Sequence, residues 1–166
     1  EAEERDFIRK AIASIERTTG TRPHGWLSRY LLTDNTRRLL VEEGFTYHMD
    51  DYSGDAPFWD TSHDRPIVIL PYALDSNDMK MWTAPSLTPT DWLQYAIDSF
   101  EWLYREGAAE TRMMSLGVHL RIIGRPGRIG YLEKFLEYVT AKPGVWIATR
   151  REIAEHWAAQ NPPDAA

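Results

Sequence analysis

The chain of 166 residues has no cysteine. That excludes disulfides and thiolate metal sites, and it fits a reducing, cytoplasmic compartment. Basic character is also missing: the net charge is −6 and the pI about 5.4. No basic face dominates, so nucleic acid is not an expected partner. No apolar run approaches the roughly 18 residues of a membrane-spanning helix, so a membrane is not an expected partner either. No internal repeat of 20–50 residues is visible. What is present is aromatic and mixed: seven Trp and eight Tyr speak for a packed core rather than disorder. The length suits one domain.

One stretch carries most of the information: Met113 to Arg128, MMSLGVHLRIIGRPGR. The apolar run 113–118 predicts a buried strand. His119 follows at its end, where α/β folds bind ligands. A histidine there can move protons near neutral pH, since its ordinary pKa is about 6.5. A loop with Arg121, Arg125 and Arg128 comes next, broken by Gly124, Pro126 and Gly127. The plainer alternative is a hydrogen-bonding histidine followed by solvated arginines. Beyond the loop, Ile129, Leu132, Phe135, Leu136 and Val139 predict one apolar face of a helix.

Elsewhere the chain alternates. A helix is predicted over 2–18, with Phe7, Ile8, Ala11, Ile12 and Ile15 as its stripe and Gly20 just past its end. RPHGW, 22–26, reads as a strand end. A helix then runs from an Asp34 or Asn35 cap to Glu43, and a strand from Phe45 to Met49, with Asp50 and Asp51 at its end. Long loops are expected over 53–66 and 71–89, around a buried strand at 67–70. The first loop offers Phe58 and Trp59 as pocket walls. A helix opening at Thr90 or Asp91 runs to about Glu106, with Trp92, Tyr95, Ala96, Ser99, Trp102 and Leu103 inward. A last strand, 144–148, precedes a helix capped by Thr149, and residues 161–166 read as a disordered tail. Alternating strands and helices imply an α/β fold with parallel strands. Polar residues recur at strand ends: Arg22; Asp50 and Asp51; Asp75, Asn77 and Asp78; His119. Five strands are too few to close a barrel.

Several stretches together point to a family: TGTRPHGW, NTRRLLVEEGF, DDYSGDAPFW, VILPYALDSNDM, MMSLGVHLRIIGRPGR and GVWIATRREIAEHW. They resemble polysaccharide deacetylase (NodB-homology) proteins, and within these the allantoinase branch of purine catabolism. The resemblance implies a hydrolase of carbon–nitrogen bonds other than peptide bonds, built on a distorted (β/α) barrel. It implies that Arg22 orients a catalytic aspartate, that Asp50, Asp51 and Trp59 form a pocket wall, and that His119 is the general acid. Catalytic residues are therefore expected at His119, Arg22 and Asp51. Substrate contacts are expected at Trp26, Asp50, Trp59, Asn77, Arg121, Arg125 and Arg128.

The family's Asp-rich base motif and its metal-binding histidine pair have no match. His24, His48, His63 and His156 do not give a His-x-x-x-His spacing. No metal site or cofactor is expected in this chain, although a zinc-like divalent ion is expected of a full-length member. The chain starts with EAEERDF, and an upstream part is expected: roughly five strands over 1–160, the C-terminal portion of a partial barrel. Such a piece should have open sheet edges and unpartnered apolar residues such as Ile67, Ile69, Met114 and Leu116, and so aggregate or associate. The expected partner is a cyclic ureide such as allantoin, held by planar guanidinium groups. The alternatives are an N-acetylated glycan of chitin or peptidoglycan type, stacked on Trp26, Trp59 and Trp82, or a non-catalytic binding module. A full-length form is expected to be a homo-oligomer.

Overall fold

The computed structural model describes residues 1–28 and 32–163. The chain divides into two compact units. Unit 1 comprises 1–51, 57–71 and 148–166; unit 2 comprises 52–56 and 72–147.

Unit 1 is built on a four-stranded sheet: β1 (Gly25–Trp26), β2 (Tyr47–His48), β3 (Phe58–Asp60) and β4 (Ile67–Ile69), in the order β1-β2-β4-β3. β1, β2 and β4 are parallel, with Gly25 opposite Tyr47 and His48 opposite Ile69. β3 runs antiparallel to β4, with Trp59 opposite Val68. The sheet is open, and β1 and β3 each have one neighbour. A Cβ at Gly25 would lie 1.9 Å from the Tyr47 ring, so any other residue there would have to displace that ring.

Helix α1 (Ala2–Thr19) ends at Gly20, whose φ of 73° provides the left-handed stop that glycine adopts freely. Its apolar stripe turns inward at Ile8 and Ile12. These pack with Leu39, Leu40 and Val41 of α2 (Thr36–Glu42), with Phe45, and with Ile67 and Ile69 of β4. Ile67 and Ile69, expected to lack partners, are fully buried. Helix α6 (Arg150–Gln160) starts on the Thr149 cap, which accepts a hydrogen bond from the Glu152 N–H.

Unit 2 is helical. A 3₁₀ turn (Asp78–Met81) precedes α3 (Pro89–Glu106), the short α4 (Leu120–Ile123) and α5 (Pro126–Thr140). Met81, Trp92, Ile122 and Ile123 form one apolar cluster. Ala96 and Phe100 of α3 meet Phe135 and Val139 of α5 in a second.

Five expectations are corrected. Residues 113–118 join no ladder: Met113 N–H donates to Asp55 O, Ser115 O accepts from Ser76 Oγ, and Gly117 O accepts from Asp78 N–H. Side chains and loops, rather than a neighbouring strand, satisfy this backbone. The second strand that does not form is 144–148. Gly144 takes a φ of 76°, and Trp146 and Ile147 are exposed. A third strand-like element, β3, lies in the first long loop instead, so the predicted set of five strands becomes four. The inward faces of α3 and α5 are also narrower than their stripes: Tyr95, Trp102, Ile129 and Leu136 are exposed. Finally Asn161, assigned to a frayed tail, is anchored. Its side chain donates to Trp157 O and its carbonyl accepts from Trp59 Nε1 at 2.6 Å. Residues 164–166 of that tail lie outside the described residues. No described helix is long and apolar enough to cross a membrane.

Candidate active site

Unit 2 holds the histidine singled out by the sequence, and two short turns fix it. Asn77 caps the 3₁₀ turn: its Oδ1 accepts from Met79 N–H at 2.8 Å. This aims the next side chain, Asp78, toward the start of α4. Asp78 Oδ2 accepts the backbone N–H groups of His119 and Ile123, at 2.8 and 3.2 Å. Asp78 therefore does for α4 what a local cap would do, because His119 at the N-cap makes no capping bond itself. The other carboxylate oxygen, Oδ1, lies 2.7 Å from His119 Nδ1.

An ionised carboxylate only accepts, so the bond is Nδ1–H to Oδ1, and Nε2 is left as the proton-exchanging atom. The carboxylate is fully buried while the imidazole side chain is 26% exposed. Among the described residues, Nε2 has no hydrogen-bond partner. The pair is thus a ring of fixed tautomer and orientation with one nitrogen presented outward. Gly117 makes the approach feasible. A Cβ there would meet Tyr72 Oη at 2.2 Å and Asn77 Nδ2 at 2.5 Å.

Asn77 has both amide ends engaged, since Nδ2 donates to Tyr72 Oη at 2.9 Å. Arg121, Arg125 and Arg128 line one open cavity with Trp82, Pro89 and Gly127; His119 is not in its lining.

Unit 1 holds the remaining residues of the expected set, and there a second His–Asp pair is sealed. His48 is fully buried and Asp50 nearly so. Asp50 Oδ2 accepts from Ser28 N–H at 2.6 Å and from His48 Nε2 at 2.8 Å. The other ring nitrogen, Nδ1, accepts from Arg37 Nε at 3.2 Å, and a guanidinium can only donate, so the ring proton sits on Nε2. Arg37 also donates to Asp60 at 2.8 Å and to Asp50 O at 3.3 Å, and pairs with Asp51 at 3.7 Å. For Asp60, burial pushes the carboxyl upward. Hydrogen bonds from the Ser62 hydroxyl, the Arg37 guanidinium and the Ser62 N–H outweigh it and hold the pKa at about 2.

The other unit 1 positions have evident packing roles. Arg22 donates to Glu43 O beyond the C-terminal end of α2. Trp26 packs edge-on against Phe7 and Phe45, with Nε1 on Ser28 Oγ. Trp59 lies against Trp157, ring centroids 5.7 Å apart. The structure thus brings Asp50 and Asp51 together on Arg37 in unit 1, and places His119, Asn77 and the three arginines in unit 2.

The missed residue is Asp78. The sequence shows an acid after the buried 67–70 run, but its partner is 41 residues away, beyond any periodicity. The Asn-Asp pair before an apolar methionine is the one local signal, since it marks a capped turn. Among the described residues, no group of three or more His, Cys or acidic side chains could hold a metal ion. Each His–Asp pair offers two donors, and those of Asp78 are spent on N–H groups. The described residues do not by themselves fit a zinc-like ion.

No model of a protein family matches the chain. Individual proteins do. A Schizosaccharomyces pombe protein that carries the name polysaccharide deacetylase is 35% identical over 178 residues, covering 96% of this chain and 55% of its own length. A peptidoglycan deacetylase of Helicobacter pylori is 28% identical, over 96% of this chain and 65% of its own. An allantoinase crystal structure superposes with a TM-score of 0.93 at 40% identity, over 98% of this chain and 55% of the other. The chain is a relative of the polysaccharide deacetylases. A Pseudomonas aeruginosa structure of the same designation agrees equally well, with a TM-score of 0.93 at 40% identity. The chain spans little more than half the length of most of these polysaccharide deacetylase relatives.

Proposed function

We propose that this chain forms part of a hydrolase of carbon–nitrogen bonds other than peptide bonds, and that His119 is its general acid. The observation that carries the reading is the His119–Asp78 pair. Hydrolysis adds water to a carbonyl carbon and breaks the bond to nitrogen, and that nitrogen leaves readily only when it gains a proton. Nε2 can supply the proton while Asp78, through Nδ1–H, holds the ring and stabilises its charged form. Asp78 is a positioning residue; it is buried and touches no reactant. The base that takes the proton from water is assigned to no residue of this chain.

The finer reading is ring opening of a cyclic ureide, allantoin to allantoate. Two things support it: the 40% identity to an allantoinase, and the internal use of Trp26 and Trp59, which leaves Trp82 alone of the three candidate sugar platforms well exposed. Deacetylation of an N-acetylated glycan is the second reading, favoured by the names of the curated relatives and by that exposed Trp82. We further infer that the open sheet is a segment of a (β/α) barrel of the deacetylase type; the coverage of the relatives supports this. The test is an assay of a protein carrying this chain at the full length of its relatives, on allantoin and on chitin oligomers. Activity on the glycan alone would reverse the order of the two readings, and activity on neither would end both.

A further inference from the structure

The cavity lined by Trp82, Pro89, Arg121, Arg125, Gly127 and Arg128 has a volume of about 660 Å³. Three arginines line it and no acidic residue does. The chain has 25 acidic residues against 19 basic ones, so the lack of acid here is local. Elsewhere six arginines are paired with a carboxylate, Arg5, Arg9, Arg37, Arg38, Arg112 and Arg151, while Arg22, Arg65 and Arg105 donate to backbone carbonyls instead. Among the described residues, none of the three cavity arginines has such a pair. Arg121 reaches Met79 Sδ, and Arg128 donates to Ile122 O and lies 5.7 Å from the Trp82 ring centroid. Like charges around one space repel, and a bound anion removes that repulsion.

We propose that Arg121, Arg125 and Arg128, with Trp82, bind a small organic molecule through an oxyanionic part bearing at least two negative charges, as phosphate or as paired carboxylates. Planar guanidinium forks match such oxygens two at a time. A single negative charge would leave two of the three cations unbalanced. The volume falls in the range of small-molecule sites and exceeds what a bare inorganic anion fills, and the exposed Trp82 ring offers an apolar face for the rest of the ligand. The cavity is a site of its own: neither His119 nor Asp78 lines it. The proposal therefore stands apart from the hydrolase reading.

The test is calorimetric titration of the chain with inorganic phosphate and with succinate, against acetate and chloride at matched ionic strength. The expected result is one saturable site for a dianion, with phosphate or succinate the tighter according to the ligand's chemistry. Arg125→Gln should weaken that binding about tenfold. The triple change Arg121→Gln, Arg125→Gln and Arg128→Gln should abolish it with helical circular dichroism unchanged. His119→Gln should leave it intact, which separates this site from the proton-transfer pair. Dianions binding no better than chloride would overturn the proposal. So would binding that survives the triple substitution in a folded protein, or that is lost with His119.

Discussion

The two units each contain a histidine against an aspartate at nearly the same distance, 2.8 Å for His48–Asp50 and 2.7 Å for His119–Asp78. The pairs differ in what meets the second ring nitrogen. In unit 1 Arg37 occupies it, Asp60 and Asp51 hold Arg37, and the ring is sealed. In unit 2 the carboxylate is sealed and the ring is not. The ring proton is on Nε2 in the first and on Nδ1 in the second. A histidine locked at both nitrogens ties strand β2 to the backbone at Ser28; one locked at a single nitrogen can exchange a proton. The pair itself carries no function. Its third neighbour decides.

That contrast can be broken by substitution. The largest effect is expected at the open pair. In a protein carrying this chain at the full length of its relatives, His119→Ala should lower the hydrolytic rate about 10²- to 10⁴-fold, with little change in melting. An unchanged rate would remove His119 from the mechanism. Asp78→Asn should follow it closely in size. The amide N–H₂ would face Nδ1 and drive the ring proton to Nε2, visible in ¹⁵N shifts of the imidazole. Retention of the Nδ1–H tautomer would contradict the positioning role.

At the sealed pair the expected effect is on stability. His48→Ala leaves the buried Asp50 and the half-buried Arg37 without their shared partner and should cost about 3 kcal/mol in denaturant unfolding. A loss below about 0.5 kcal/mol would mean that the network is not structural. Acid should act on unit 1 through Asp60. Its folded pKa of about 2 lies below the ordinary 3.8. The stability it contributes is therefore present above about pH 4 and is lost as pH falls through about 2. Asp60→Asn should flatten that part of the stability–pH curve, and a curve unchanged by the substitution would show that Asp60 contributes nothing there. The smallest effect is expected for Trp59→Phe, which keeps the ring contact with Trp157 but removes the Nε1–H bond to Asn161; about 1 kcal/mol is expected.

Helices with a complete local signal were legible. Gly20 after a 3.6-period stripe gave the end of α1, and Thr149 gave the start of α6, where Glu152 completes the reciprocal cap. Helix α3 begins two residues ahead of its reading, because Thr88 and Asp91 form a reciprocal cap with Pro89 at the first helical position. His119 was legible as a candidate from its context. Asp78 as its partner was not, since that contact depends on how two turns meet across 41 residues. The 113–118 run misled for a related reason: apolar content predicts burial, but a strand also needs a neighbouring backbone, and here Ser115 and Gly117 are the buried members. Arg22, Trp26 and Trp59 carried signals compatible with a pocket and with packing, and only the contacts distinguish these.

The Trp59–Asn161 bond joins residues 102 positions apart, and it has a consequence for the order in which the molecule can be made. Unit 2 is nearly one unbroken stretch, 72–147, whereas unit 1 draws on three. As the chain leaves the ribosome, the helices around Trp92 and Phe135 can consolidate while α6 is still unsynthesised. The sheet edge at β3 must wait for its last clasp until Asn161 has emerged. Unit 1, which opens ahead of unit 2 along the chain, is therefore completed after it.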